Sequence, residues 1–336
     1  MKKMIMAEVL NRCSTEKIWW IIFLLIGVVP ISHLQAENSI PVQNGQKIGF
    51  LGDSITEQGA APSGYVNLVI MGLKVEGVEA IAIPAGVSGN TSGNMRARLE
   101  PHVLSKGANW MTLSCGVNDV RMAKEGRGGT LDEFKKNVSD IVERALAKNV
   151  KIVLLTTTPL GEDLDGPRNT QIAPYNDFLR SYAKEKNLIL ADVNMAFREF
   201  LKNPPPGFSG EPDKKLLADG THPNQEGQIL MARTVLKALG VPDADFPKIE
   251  KEWMENPRGK AVKLGQNSFV LISQNQYNSL EQLAKKQHKT VRTIMTEIWD
   301  KALKESSGQA KNDPAKASED AQKRIGPMVD EYIKSN

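Results

Sequence analysis

An α/β architecture, with a central parallel sheet between helical layers and a small, mostly helical C-terminal appendage, follows from three observations on this 336-residue chain. Between residue 46 and about residue 240, five short β-rich runs alternate with longer segments of helical period. One of these, 130–148, places Phe134, Val138, Ile141, Val142, Ala145 and Leu146 on one stripe, with charges on the other face. After Gly240 the alternation stops and the character of the chain changes. Strands that alternate with helices pair in parallel through right-handed crossovers, which lay helices on both faces of the sheet.

The five runs are KIGFLG (47–52), VEAIAI (78–83), WMTLSC (110–115), KIVLLTT (151–157) and LILADV (188–193). In such sheets a ligand site lies outside the carboxyl ends of the strands, so the loop after each run is where chemistry is to be sought. A proline-stiffened stretch, NPPPGFSGEPDKK (203–215), precedes the last of these loops and reads either as a wall of the site or as an ordinary surface loop.

The N-terminal residues predict a targeting segment. Lys2, Lys3, Arg12 and Lys17 precede the apolar run IWWIIFLLIGVVPI (18–31), and HLQA follows, ending at Ala36. A basic region, a short apolar core and a small-residue exit make a secretory signal over 1–36, which implies a secreted or periplasmic protein. The run is shorter than the roughly 20 residues a spanning helix needs, and Pro30 interrupts its end. No stable membrane insertion is expected, with an uncleaved anchor as the competing reading. The formal net charge of +4 gives no electrostatic case for nucleic acid or an anionic surface. Cys13 leaves with the signal, so Cys115 has no disulfide partner; it ends an apolar run and reads as a buried structural thiol.

After the first run comes Gly52-Asp53-Ser54-Ile55-Thr56, after the second PAGVSGNTSGN, after the third Gly116 to Asp119 (GVND), and after the fifth and its helix DGTHPN, from Asp219 to Asn224. Each alone is ordinary loop composition. Together they hold what a serine nucleophile requires. Of the three histidines beyond the signal, only His222 lies in a loop at the sheet's carboxyl edge, and Asp219 stands three residues before it. Asp219 can then orient the Nδ1 side of His222 and leave Nε2 to take the Ser54 proton. Gly89 offers a backbone N–H, Asn118 a side-chain amide and Ser54 its own N–H to a developing oxyanion. Asp53 and Asp119 read as organisers of their loops.

These four blocks, in this order, resemble those of the SGNH/GDSL hydrolase superfamily. The resemblance covers roughly residues 46–240 and implies a flavodoxin-like three-layer α/β/α sandwich and esterase chemistry with no metal and no cofactor. It implies Ser54 as nucleophile, Gly89 and Asn118 completing the oxyanion hole, and Asp219 with His222 as the base. Many members carry Asn where this chain has Pro84, a departure expected to change how the second loop is anchored. Family membership leaves the substrate open. Export favours acetyl esters on carbohydrate; a lysophospholipase- or thioesterase-type activity and a non-catalytic carbohydrate-binding protein are the alternatives.

The expected divisions are 37–256 for the catalytic domain, 257–304 for an appendage and 305–336 for a polar, disordered tail, with a short helix allowed over IGPMVDEYIKSN. In the appendage, SFVLIS predicts a strand. Tyr277, Leu280, Leu283 and Ala284, then Val291, Ile294, Met295, Ile298, Ala302 and Leu303, predict two amphipathic helices. The pattern is similar to ribbon-helix-helix units, which pair strands across a dimer. A homodimer formed there and a hairpin packed on the catalytic domain both remain open.

Overall fold

Five parallel strands in the order β2–β1–β3–β4–β5 form the central sheet: β1 (Lys47–Gly52), β2 (Ile81–Gly86), β3 (Trp110–Ser114), β4 (Lys151–Leu155) and β5 (Ile189–Ala191). The computed structural model describes residues 40–336 apart from 124, 125, 127, 207, 209–214, 256–259, 265–268 and 308–313. The expected signal over 1–36 and most of the stretch 207–214 lie outside the described residues.

The central strands β1 and β3 are buried along almost their whole length, because helices cover both faces. On one face α2 (Tyr65–Val75) packs with α8 (Gln225–Ala238) and α9 (Phe246–Glu255), and α7 (Val193–Lys202) lies beside α8. On the other face α3 (Ser92–His102), α5 (Leu131–Ala147) and α6 (Pro167–Glu185) pack in sequence. Two short helices, α1 (Ser54–Gly59) and α4 (Val117–Arg121), follow β1 and β3 directly. This is the three-layer sandwich, and its strand order is that of flavodoxin-like sheets.

The strands differ from expectation at β2. Val78 N–H donates to the Leu73 carbonyl to close α2, so residues 78–80 are spent on the turn and the strand runs on through Pro84 to Gly86. Pro84 is tolerated because β2 is an edge strand, where a missing N–H leaves no ladder bond unmade on the outer side. Helix α5 begins as its sequence dictates: the Thr130 hydroxyl accepts from Glu133 N–H, and the Glu133 carboxylate accepts from Thr130 N–H. Phe134, Val138, Ile141, Val142 and Ala145 are buried, but Leu146 is 41% exposed. It lies one residue, roughly 100°, around the helix from Ala145 and falls off the buried stripe.

The main core carries Phe50, Tyr65, Trp110, Phe134, Phe197 and Phe246, all essentially without exposed surface. Phe134 joins α5 to α6 through Tyr175 (ring centroids 4.9 Å apart) and Phe178 (6.0 Å). Trp253 ties α9 to α2 with a 3.0 Å hydrogen bond from its indole to the Leu68 carbonyl.

The appendage has a second core. Strand β6 (Lys260–Lys263) pairs antiparallel with β7 (Phe269–Ile272), and α10 (Gln274–Lys286), α11 (Val291–Ser307) and α12 (Pro314–Ser335) pack against them. Two expectations change here. The strand within SFVLIS has an intrachain partner, β6, rather than only the cross-dimer pairing of a ribbon-helix-helix unit. The helix allowed over IGPMVDEYIKSN begins earlier, at Pro314, as α12, whose Ala321, Ile325 and Val329 are buried in the appendage core. Those three residues recur every fourth position, so a tail of mostly polar composition still presents one apolar face.

Replacing Phe134 with alanine removes the ring that joins α5 to α6. A loss of about 3–5 kcal/mol is expected in chemical denaturation.

Candidate active site

Strand order reverses between β1 and β3, where the chain leaves β1 for β2 on one side and later fills β3, β4 and β5 on the other. A crevice opens outside the carboxyl ends at such a point. Ser54 stands at the end of β1, and Asn118 stands in the short helix after β3.

The Ser54 hydroxyl lies 2.8 Å from His222 Nε2, and His222 Nδ1 lies 2.7 Å from Asp219 Oδ2. A carboxylate can only accept, so Nδ1 carries the proton and Nε2 is left to accept from the serine hydroxyl. The loop that presents His222 is built around Asp219. Its Oδ1 accepts from the N–H of Thr221 (2.9 Å) and of His222 (2.8 Å). Partial burial pushes the Asp219 carboxyl up, but the His222 N–H, the His222 ring and the Thr221 N–H outweigh it and hold it down at about 2.

A second clamp fixes this loop from a distance of more than fifty residues in sequence. The Glu162 carboxylate accepts from three consecutive backbone N–H groups, Lys215 (3.0 Å), Leu216 (2.7 Å) and Leu217 (2.9 Å). Gly161 N–H adds a 2.7 Å bond to the Gly220 carbonyl. Asn169 in turn organises the 160–163 loop through its own amide, which bonds the backbone of Leu160, Gly161 and Asp163. The loop after β4 is the strand-end loop from which the sequence reading draws no residue, and searching it would have found Glu162.

On the other side of Ser54, the loop after β2 carries Gly89 at φ +76°, a conformation that favours glycine. The residues around it are pinned. Val87 N–H donates to the Gly52 carbonyl, and both the N–H and hydroxyl of Ser88 bond the Glu57 carboxylate of α1. These contacts anchor the second loop in the chain that bears Pro84. Asn118 is buried, and its amide donates to the Asn90 carbonyl at 3.0 Å, leaving a second N–H on the same nitrogen. Gly86 fits where it does because a side chain there would collide with the backbone of Thr56 and Glu57 in α1.

Asp119 accepts from the N–H and hydroxyl of Ser92, which fixes the start of α3 to the short helix α4; burial pushes its carboxyl up, and the Ser92 contacts partly offset this. Asp53, 2% exposed, accepts from Ile55 N–H and caps α1. Burial pushes its carboxyl up to about 6, although the Ile55 N–H and the nearby His222 pull it down. Cys115 is a free, buried thiol, raised by its burial and by Asp119 and Asp53, and so is suited to packing rather than to reaction. Among the described residues no cluster of three His, Cys, Asp or Glu is placed to hold a metal ion, and no helix is long and apolar enough to cross a membrane.

The arrangement joins a hydroxyl, a base and an orienting carboxylate in one line, with amide donors on the opposite loops. The model of the GDSL-like Lipase/Acylhydrolase family matches residues 50–230. An acetylxylan esterase from Geobacillus stearothermophilus is 28% identical over 225 residues, 59% of this chain and 96% of that protein. The crystal structure of an acetylxylan esterase from the same organism superposes with a TM-score of 0.54 at 26% identity, covering 60% of this chain and 97% of that one. Catalytic mutants of that esterase have been solved with alanine at a serine, at an aspartate and at a histidine three positions after the aspartate. A hydrolase from the metagenome of Lake Arreo superposes with a TM-score of 0.53 at 25% identity, over 60% of this chain and 98% of its own.

Because the Asp53 carboxyl sits at about 6 in the fold, above the ordinary 3.8, its ionised form is the disfavoured one. The cost is absent below the ordinary value, grows as pH rises through it, and is complete above the folded value. Asp53→Asn keeps the oxygen that caps Ile55. It is expected to be more stable than the parent by up to about 3 kcal/mol near pH 8, with the gain vanishing near pH 3.5. Denaturant midpoints at the two pH values check this.

Proposed function

The chain belongs to the GDSL-like lipase/acylhydrolase family, and from that premise we propose that it is an exported carbohydrate esterase that removes acetyl groups through an acyl-enzyme on Ser54. The single observation that carries the mechanism is the unbroken contact from Ser54 through His222 to Asp219.

Ser54 Oγ attacks the ester carbonyl carbon while His222 Nε2 takes the hydroxyl proton. Negative charge collects on the former carbonyl oxygen, where Gly89 N–H, the Asn118 amide and Ser54 N–H receive it. As the intermediate collapses, His222 gives its proton to the departing sugar oxygen and the C–O bond breaks, leaving acetyl-Ser54. A water then enters, His222 takes one of its protons, and the hydroxide adds to the acetyl carbonyl. Collapse of this second intermediate returns the proton to Ser54 Oγ and releases acetate. Throughout, Asp219 holds the imidazole in the tautomer this cycle needs and stabilises it when charged.

The reading of a carbohydrate ester rests on the relatives: an acetylxylan esterase covers 59% of this chain and a solved acetylxylan esterase 60%. The Asp219 side chain is 57% exposed, which leaves that edge of the site open to solvent. Export rests on the basic and apolar character of residues 2–31 and puts the enzyme where polysaccharide is.

Ser54→Ala is expected to lose at least about 10³-fold in kcat on 4-nitrophenyl acetate while its melting temperature stays close to that of the parent. Full activity in that variant would end the mechanism. Acetate release from acetylated xylan tests the substrate class, and cleavage restricted to long-chain lipid esters would replace it.

Asp219, held at about 2, stays ionised and keeps orienting His222 throughout the working range.

A further inference from the structure

Arg98, on α3, is half-buried, and it makes no ion pair among the described residues. Instead its guanidinium is spread over neutral acceptors from three places outside its own helix, with Nη1 also 3.3 Å from His102 Nδ1 one turn along α3. Nη2 donates to the Gly52 carbonyl at the end of β1 (2.6 Å), Nη1 to the Ala85 carbonyl near the end of β2 (2.8 Å), and Nε to the Asn90 side-chain oxygen (2.6 Å). Asn90 directly follows Gly89, and its backbone carbonyl is the acceptor of the Asn118 amide. One rigid fork thus touches the strand end two residues before Ser54, the loop that carries Gly89, and the residue on which Asn118 rests.

We propose that Arg98 is a positioning residue that fixes the oxyanion donors relative to the nucleophile, acting through Asn90. Burying a cation among neutral acceptors costs desolvation that an ordinary surface arginine avoids. Its burial disfavours the charged form, with the nearby Asp53 opposing that effect. What the fork supplies in return is geometry. The donors serve only where charge develops, so a misplaced donor weakens the transition state far more than the bound substrate. Lysine cannot reproduce this, because its single ammonium does not span three diverging acceptors.

The proposal rests on the reading of Gly89 and Asn118 as oxyanion donors, and a double-mutant cycle separates the two. Steady-state kcat and KM on 4-nitrophenyl acetate are measured for the parent, Arg98→Lys, Asn118→Ala and the double variant, with a thermal melt of each. Arg98→Lys is expected to lower kcat by about 10- to 100-fold with KM changed by less than about threefold. In the Asn118→Ala background the same replacement is expected to cost several-fold less, because a donor that it positions is already gone. An equal loss in both backgrounds, or a rise in KM at constant kcat, would overturn the positioning role. If Asn118→Ala alone loses nothing, the oxyanion reading itself falls, and the proposal with it. Should Arg98→Lys fail to fold, Asn90→Ala removes the acceptor on the far side of the fork and keeps the carbonyl that holds Asn118. It is expected to show the same fall in kcat, and an unchanged kcat would overturn the proposal.

Discussion

Parallel strands all finish at one edge, and this constraint generates the site. In this chain the last carbonyl of β1, that of Gly52, is where the consequences meet. It accepts from Val87 N–H, which starts the loop after β2, and from Arg98 Nη2. Ser54 follows two residues later, already aimed because Asp53 caps the short helix that Ser54 begins. A serine, a glycine and an asparagine separated by 35 and 29 residues in sequence thus come to one crevice by way of strands adjacent to β1.

The proposed base arrives by a different route. His222 lies on no strand end of its own, since its loop follows α7 and precedes α8. The loop is made rigid by carboxylates at both levels, Asp219 within it and Glu162 beneath it, each accepting backbone N–H groups that a polar loop would otherwise leave to water. The cost of ordering a loop is offset by charge-assisted hydrogen bonds, which are stronger than neutral ones.

How much of this was legible in the sequence depended on whether the signal was local. The alternation of runs gave the sheet and its helices, and the family blocks brought Ser54, Asp219 and His222 forward before any geometry. The limits of β2 were not legible, because Pro84 argues against a strand unless one knows that β2 lies at the edge. The first part of helix α12, before Ile325, was not legible because its apolar face is only every fourth residue of a polar tail. Glu162 and Arg98 were invisible for a further reason. They bond backbone groups up to 55 residues away, and backbone groups carry no residue identity for a sequence to display.

Pro84 has a consequence beyond the loop it precedes. The outer edges of the sheet are poor templates for a stray strand: β2 lacks a donor at its middle, and β5 is only three residues long. A second molecule therefore finds no continuous row of hydrogen-bonding groups on which to zip. Self-association by sheet extension is disfavoured at both ends of the sheet, with no charged residue placed there for the task.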